Sequence, residues 1–161
     1  MNCKIKTTTI QTDYTEISLY QNIASFEELE EQLKVCQSEQ NSFTTYSDGV
    51  ISTKNGTTYI KYEDSEELGT EKSKTEISFK NDTPDEIFIS RKGALNSNLI
   101  FVKGKSCNGV LMTPFMPFEY MTHTKEIKNK LYSENYIEII YYIQIKGAQV
   151  EKTFLRIEVE R

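Results

Sequence analysis

The sequence predicts an all-β protein, one antiparallel β-barrel with a single short helix inserted near residues 25–36. Three observations predict it: a long run of alternating Ile and Tyr from Tyr136 to Lys146, a series of nine or ten strand-like segments, and short turns with no helix between the segments after residue 42. A long antiparallel meander usually closes, because closure removes its exposed edges. We expect about eight main strands in one domain, residues 1–161.

The first segments predict a strand followed by a helix. Residues 3–10 are β-branched at nearly every second position, which favours a strand. Ser25 and Glu28 have the spacing of a capping box, which marks the start of a helix. The apolar residues that recur at helical spacing after it are Phe26, Leu29, Leu33 and Cys36. This stripe predicts a helix packed on the barrel wall or mouth; a lid or a partner-docking helix is the alternative.

Turn dipeptides divide the next stretch. Asp48-Gly49 and Asn55-Gly56 both favour tight hairpin turns, because these residues tolerate positive φ. Residues 125–135 are polar and predict a connection before the long strand. Alternation along that strand and the last one predicts an inward face, whose members are Ile137, Ile139, Tyr141, Ile143, Ile145, Leu155 and Ile157.

Composition excludes several classes of function. The net charge of −5 without any basic run makes nucleic acid or an anionic membrane a poor partner. No apolar run reaches the length of a signal peptide or a membrane helix, and three widely spaced cysteines fit free thiols, so we expect a cytoplasmic protein. His123 is the only histidine, which excludes a histidine-rich metal site. We predict no metal and no cofactor, and the sequence carries no signal for an oligomeric state.

The order of several short motifs resembles the YwiB-like family of uncharacterised bacterial proteins. The strongest pieces are the I-x-R-x-G run from Ile89 to Gly93 and Thr113-Pro114 followed by an aromatic strand; the resemblance covers about residues 42–160. It implies a calycin-like barrel, related in shape to lipocalins. It implies no activity and no site residues. The helix near residues 25–36 is an insertion relative to shorter members, and the turn after Thr113-Pro114 lacks the glycine expected there.

Arg91 is the leading candidate for a functional residue. Alternation places it on the face of Ile87 and Ile89, where an unpaired charge is costly. It either clamps a carboxylate or phosphate of a ligand, or pairs with a barrel carboxylate or backbone carbonyls. Inward-facing tyrosines would add polar contacts to a ligand; the candidates are Tyr62, Tyr120 and Tyr141.

Three functions follow from these residues. The first is a barrel that binds a small apolar or anionic molecule. The second is an interaction or scaffold barrel with a filled interior, which meets a partner through the helix or the edge near Pro114 and Pro117. An enzyme ranks third, because one histidine and no catalytic motif leave acid–base chemistry to carboxylates that the sequence does not place.

Overall fold

The computed structural model describes residues 1–14, 26–34, 38–63, 73–93, 96–148 and 150–161, with Phe26 described by its backbone alone. Within these ranges the chain forms ten strands and two short helices. In chain order they are β1 Asn2–Tyr14, α1 Phe26–Leu33, β2 Ser38–Lys54, β3 Thr57–Glu63, β4 Lys74–Lys80, β5 Thr83–Lys92, β6 Ser97–Val102, β7 Ser106–Met112, β8 Pro117–Lys130, α2 Leu131–Glu134, β9 Tyr136–Ile145 and β10 Val150–Glu160.

All ten strands belong to one antiparallel sheet in the order β6-β5-β4-β3-β2-β1-β10-β9-β8-β7. The two end strands, β6 and β7, follow each other in the chain across a turn at Gly104, whose φ is 78°. Asn96 and Met112 exchange backbone hydrogen bonds of 2.9 Å across the gap between them. The sheet is therefore a nearly closed barrel with a seam between β6 and β7, and the predicted fold class is confirmed.

One of the two predicted hairpin turns is wrong. Asn55-Gly56 does form the turn between β2 and β3, with φ of 53° and 76°. Asp48-Gly49 instead lies inside the continuous strand β2. A Cβ on Gly49 would lie 2.7 Å from the Ile5 side chain and 3.0 Å from the Lys61 carbonyl oxygen. This glycine permits close packing inside the barrel rather than a reversal of the chain.

The predicted polar connection at residues 125–135 is also wrong over most of its length. Strand β8 continues to Lys130, and the one-turn helix α2 follows it. The register between β8 and β9 shifts between Thr124 and Glu126, which marks a bulge. A bulge adds one residue and so reverses the alternation of faces. The residues after the bulge are mostly polar, so the sequence did not predict this part of the strand, in which Ile127 faces the core.

Helix α1 lies on the outer wall of the barrel, as predicted. Its Leu29 and Leu33 pack with Tyr142 of β9 and Val150 of β10. Ser25 and Cys36, the predicted ends of the helix, lie outside the described residues. This cover explains why Tyr142 is buried although it faces outward. The predicted inward residues Ile143 and Ile145 are only half-buried, whereas the other five are buried.

Candidate functional site

The interior of the barrel has two halves of different chemistry. The half next to α2 is apolar and filled; we call it the packed half. Its side chains are at most 1% exposed, and they include Ile60, Ile77, Phe79, Ile87, Phe101, Leu131, Ile137, Ile139 and Ile157. Tyr132 of α2 packs edge-on against Phe79, with ring centroids 6.4 Å apart. The helix α2 thus closes this side of the core.

The other half of the interior is lined by polar side chains; we call it the polar half. Its inward-facing members are Asp13, Thr75, Arg91, Thr122, Thr124, Tyr141, Glu151 and Thr153. Their arrangement follows from strand register, since directly opposed residues share a face of the sheet. Tyr141 of β9 lies opposite Thr124 of β8 and Thr153 of β10. Glu151, two residues before Thr153, lies opposite Asp13 of β1.

Tyr141 marks the boundary between the halves. Its ring contacts Phe101 of β6, with centroids 4.6 Å apart. Strands β6 and β9 are not neighbours in the sheet, so this contact crosses the interior and forms a floor. The Tyr141 hydroxyl is hydrogen-bonded to Thr153. Burial raises the pKa of Tyr141, and the positive charge of Arg91 opposes the rise, which places the Arg91 guanidinium within electrostatic reach of the floor.

Next to Thr153 lies a pair of carboxyl groups, those of Glu151 and Asp13. The Thr153 hydroxyl donates a hydrogen bond of 3.1 Å to Glu151 Oε1. Desolvation is the main reason that the pKa of Glu151 rises to about 7; the neighbouring Asp13 raises it further, by its charge and by a hydrogen bond to the Glu151 carboxyl. The Glu151 carboxyl is therefore partly protonated near neutral pH.

Thr124 carries a polar atom without a partner. It is 1% exposed, and its Oγ1 has no hydrogen-bond partner among the described residues. An orphaned buried hydroxyl is uncommon in native proteins, because it has lost its hydrogen bonds to water. The atom lies on the inward face beside Tyr141, at the level of the floor.

The structure separates the four predicted site residues. Arg91 is exposed near the end of β5, and its charge acts on the buried Tyr141 hydroxyl. Tyr62 is buried one strand from Thr75 and two strands from Arg91, in the same row across β3, β4 and β5. Tyr120 lies at the seam: its hydroxyl donates to the Asn98 carbonyl of β6. Contact with a ligand stays a prediction for all four residues.

The Tyr120 ring lies over Gly109 of β7, where an added Cβ would come within 2.4 Å of the hydroxyl oxygen. Tyr120 thus reaches from β8 across β7 to β6 and ties the seam together. Glycine at position 109 leaves room for this ring.

Sequence reasoning missed the carboxyl pair and the two threonines beside Tyr141. Glu151 was recoverable, because it shares parity with the predicted inward residues Leu155 and Ile157. Thr124 was recoverable in the same way, because it shares parity with the predicted inward residue Tyr120 and the bulge of β8 comes only after it. Asp13 lies in a stretch whose sequence pattern is ambiguous.

Two other features of the described residues are weaker candidates. A groove of about 810 Å³ crosses β1 to β5; most of its charged lining residues point outward, and Lys61 pairs there with Glu76 at 3.5 Å. On the outer wall, Ser106 Oγ lies 2.7 Å from His123 Nδ1. Burial lowers the pKa of His123, and Glu30 of α1 opposes this shift. The Ser106–His123 pair faces away from the interior.

The fold is a nearly closed antiparallel β-barrel, as the motif order indicated. Residues 28–157 match the family described as "Domain of unknown function (DUF1934)", and the chain belongs to this family. The crystal structure of the ywiB protein from Bacillus subtilis is similar in fold, with a TM-score of 0.63 and 20% sequence identity over 99% of this chain and 94% of that one. No curated protein matches the chain. Among the described residues, no helix is long and apolar enough to cross a membrane.

Proposed function

We propose that this protein is a calycin-like, small-molecule-binding barrel whose polar half holds a ligand with a carboxylate or phosphate group. Arg91 binds the anionic group, and the hydroxyls of Tyr141 and Thr153 supply further hydrogen bonds. The apolar part of the ligand rests on the floor formed by Tyr141 and Phe101. Arginine suits this role, because its planar guanidinium matches a carboxylate or phosphate with two parallel hydrogen bonds.

One observation carries this proposal: polar groups and a cation line one half of a barrel whose other half is apolar. Apolar side chains at these positions would stabilise the fold more than buried hydroxyls and carboxyls do. Local departures from the rules of a stable core are typical of functional sites. The orphaned Thr124 hydroxyl adds weight, since a ligand would supply the partner that the described residues lack.

The test is native mass spectrometry of freshly purified protein, followed by a thermal-shift screen with fatty acids, nucleotides and phosphorylated metabolites. We expect a retained molecule or a stabilising compound, and we expect Arg91→Ala to abolish the effect. Lys92→Ala is the matched control, because Lys92 is exposed and faces the outside one residue away. If no compound is retained and none raises the melting temperature, the proposal is wrong.

A second candidate is a protein-interaction barrel, which an exposed apolar patch on the described outer surface favours. The patch lies around the seam, on β5, β6, β7 and the loop after β7, and its members are Phe88, Ile100, Val110, Met112, Phe115 and Met116, all at least 41% exposed. Apolar patches of this kind often mark interfaces. The test is recovery of a partner by pull-down that Ile100→Glu abolishes and Arg91→Ala leaves unchanged.

The proposal also places the protein in the cytoplasm. Two of its cysteines, Cys3 and Cys107, are free, and Cys3 is buried with a pKa raised by desolvation. A reducing compartment keeps such thiols unpaired.

A further inference from the structure

We propose that the ligand of the polar half is zwitterionic: it carries an ammonium group in addition to its anionic group, and Asp13 and Glu151 receive the ammonium. This inference rests on the proposed function, since it takes the anionic group to be bound by Arg91. It adds a second group of the ligand and the residues that would bind it.

The cation and the carboxyl pair lie on opposite walls of the barrel. Arg91 belongs to β5 and Glu151 to β10, and these strands are five places apart in a nearly closed ring of ten. The charges of Arg91 and Glu151 both act on the Tyr141 hydroxyl, so the two sets of groups border the polar half from opposite sides of the ring. A ligand between them meets a positive wall on one side and an acidic wall on the other.

Neither wall is neutralised by a neighbouring side chain of the described ranges. No ion pair of those ranges includes Arg91, Asp13 or Glu151. Two lysines of the adjoining strands, Lys125 of β8 and Lys152 of β10, face outward: Lys125 pairs with Glu30 of α1, and Lys152 lies over the outward Tyr142 ring. Asp13 and Glu151 are half-buried and Arg91 is exposed near the end of β5, so a ligand with an ammonium and an anionic group would complement both walls.

A purely anionic ligand fits the acidic wall poorly. Such a ligand would face two carboxyl groups, and Glu39 of β2 adds a third because it lies opposite Asp13 on the same face. Like charges across a small site disfavour binding. An ammonium group carries three donors and so suits the adjacent carboxyl groups of Asp13 and Glu151. The orphaned Thr124 hydroxyl, beside Tyr141, accepts or donates a further hydrogen bond to the ligand.

The proton held by Glu151 gives the inference a signature in pH. The groups that face Glu151 are Asp13, Tyr141 and the hydroxyl of Thr153, and Glu39 lies opposite Asp13 on the same face. An arriving ammonium displaces the Glu151 proton, so binding of a zwitterion releases a proton and strengthens as pH rises through about 7. An anion alone shows the opposite sign, because deprotonation of the pair adds negative charge that repels it.

The experiment is isothermal titration calorimetry near pH 6 and near pH 8 with matched probes. The amino acids are glycine, β-alanine and γ-aminobutyrate, and each is paired with the acid that lacks the amino group: acetate, propionate and butyrate. We expect at least one amino acid to bind about tenfold more tightly than its partner acid near pH 8, and to weaken about tenfold near pH 6. Glu151→Gln should abolish both the preference and the pH dependence.

The controls separate this inference from the proposed function. Glu160→Gln, an exposed change on the same strand, should leave both effects intact. If an acid binds as tightly as its amino acid and Arg91→Ala abolishes that binding, the zwitterion is wrong and the anion site stands. If no amino acid binds while another anion stabilises the protein through Arg91, the zwitterion is equally wrong. If nothing binds through Arg91 at all, both proposals fail.

Discussion

The packed half and the polar half of the interior are built on the same strands and differ in what fills them. On β9, Ile139 is fully buried among apolar neighbours, and only four residues further on Ile143 is half-buried opposite Glu151. On β10, Ile157 lies in the core and Thr153 in the polar chain. The packed half contains the apolar side chains that stabilise the barrel. The polar half contains groups that reduce stability, which is the pattern expected where a fold carries a binding site.

The largest expected effect compares Ile139 with Ile143. Ile139→Ala should reduce the free energy of unfolding by about 3–4 kcal/mol, because it leaves a cavity in a filled core. Ile143→Ala should cost about 1 kcal/mol, because its surroundings are already half-open to solvent. Urea denaturation of the two variants measures the difference. Equal losses would mean that the interior is packed alike along its length.

The next effect concerns the seam beside the polar half. Gly109→Ala should cost roughly 2 kcal/mol, because the new Cβ overlaps the Tyr120 ring. Tyr120→Phe removes only the hydrogen bond to the Asn98 carbonyl and should cost about 1 kcal/mol. Chemical denaturation of both variants tests this ranking. If Gly109→Ala is neutral, Tyr120 does not hold the seam.

The third effect is the pH dependence of stability that Glu151 confers. Its folded pKa of about 7 lies above the unfolded value, so the folded state binds the proton more tightly. Stability should fall as pH rises from about 4.5 to about 7, by roughly 2 kcal/mol for a partly exposed group. Glu151→Gln should match wild type near pH 5 and exceed it near pH 8. Parallel pH profiles of the two proteins would show that the carboxyl pair holds no extra proton.

The barrel was predictable because its signals are local. Alternation of Ile with polar residues marks β9, and Asn55-Gly56 marks a turn, so neither needs the rest of the chain to be interpreted. The role of Gly49 and the β8 bulge were not predictable in this way. Gly49 is required because the Ile5 side chain of another strand packs against it, and the bulge depends on how β8 pairs with β9. The site has the same limit. Strand alternation predicted that Arg91 lies on the inward face, but its proximity to Tyr141 depends on closure of the barrel.

The smallest expected effect is at Thr124. Thr124→Val keeps the shape and removes the orphaned hydroxyl, so the free protein should be unchanged or more stable by about 0.5–1 kcal/mol. The same change at Thr153, whose hydroxyl is bonded, should destabilise by about 1 kcal/mol or more. Thermal denaturation of the two variants without ligand measures the difference in stability. A loss at Thr124 equal to that at Thr153 would show that its hydroxyl has a partner.

The central claim is that ligands enter the polar half and leave the packed half unaffected. The most direct measurement is a methyl NMR titration of protein labelled at Thr and Ile, with the compound that gives the largest thermal shift. The account predicts shifts at Thr122, Thr124 and Thr153, with Ile60, Ile77 and Ile139 unmoved. Shifts confined to Ile100 and the rest of the outer patch, or spread evenly through both halves, would contradict it.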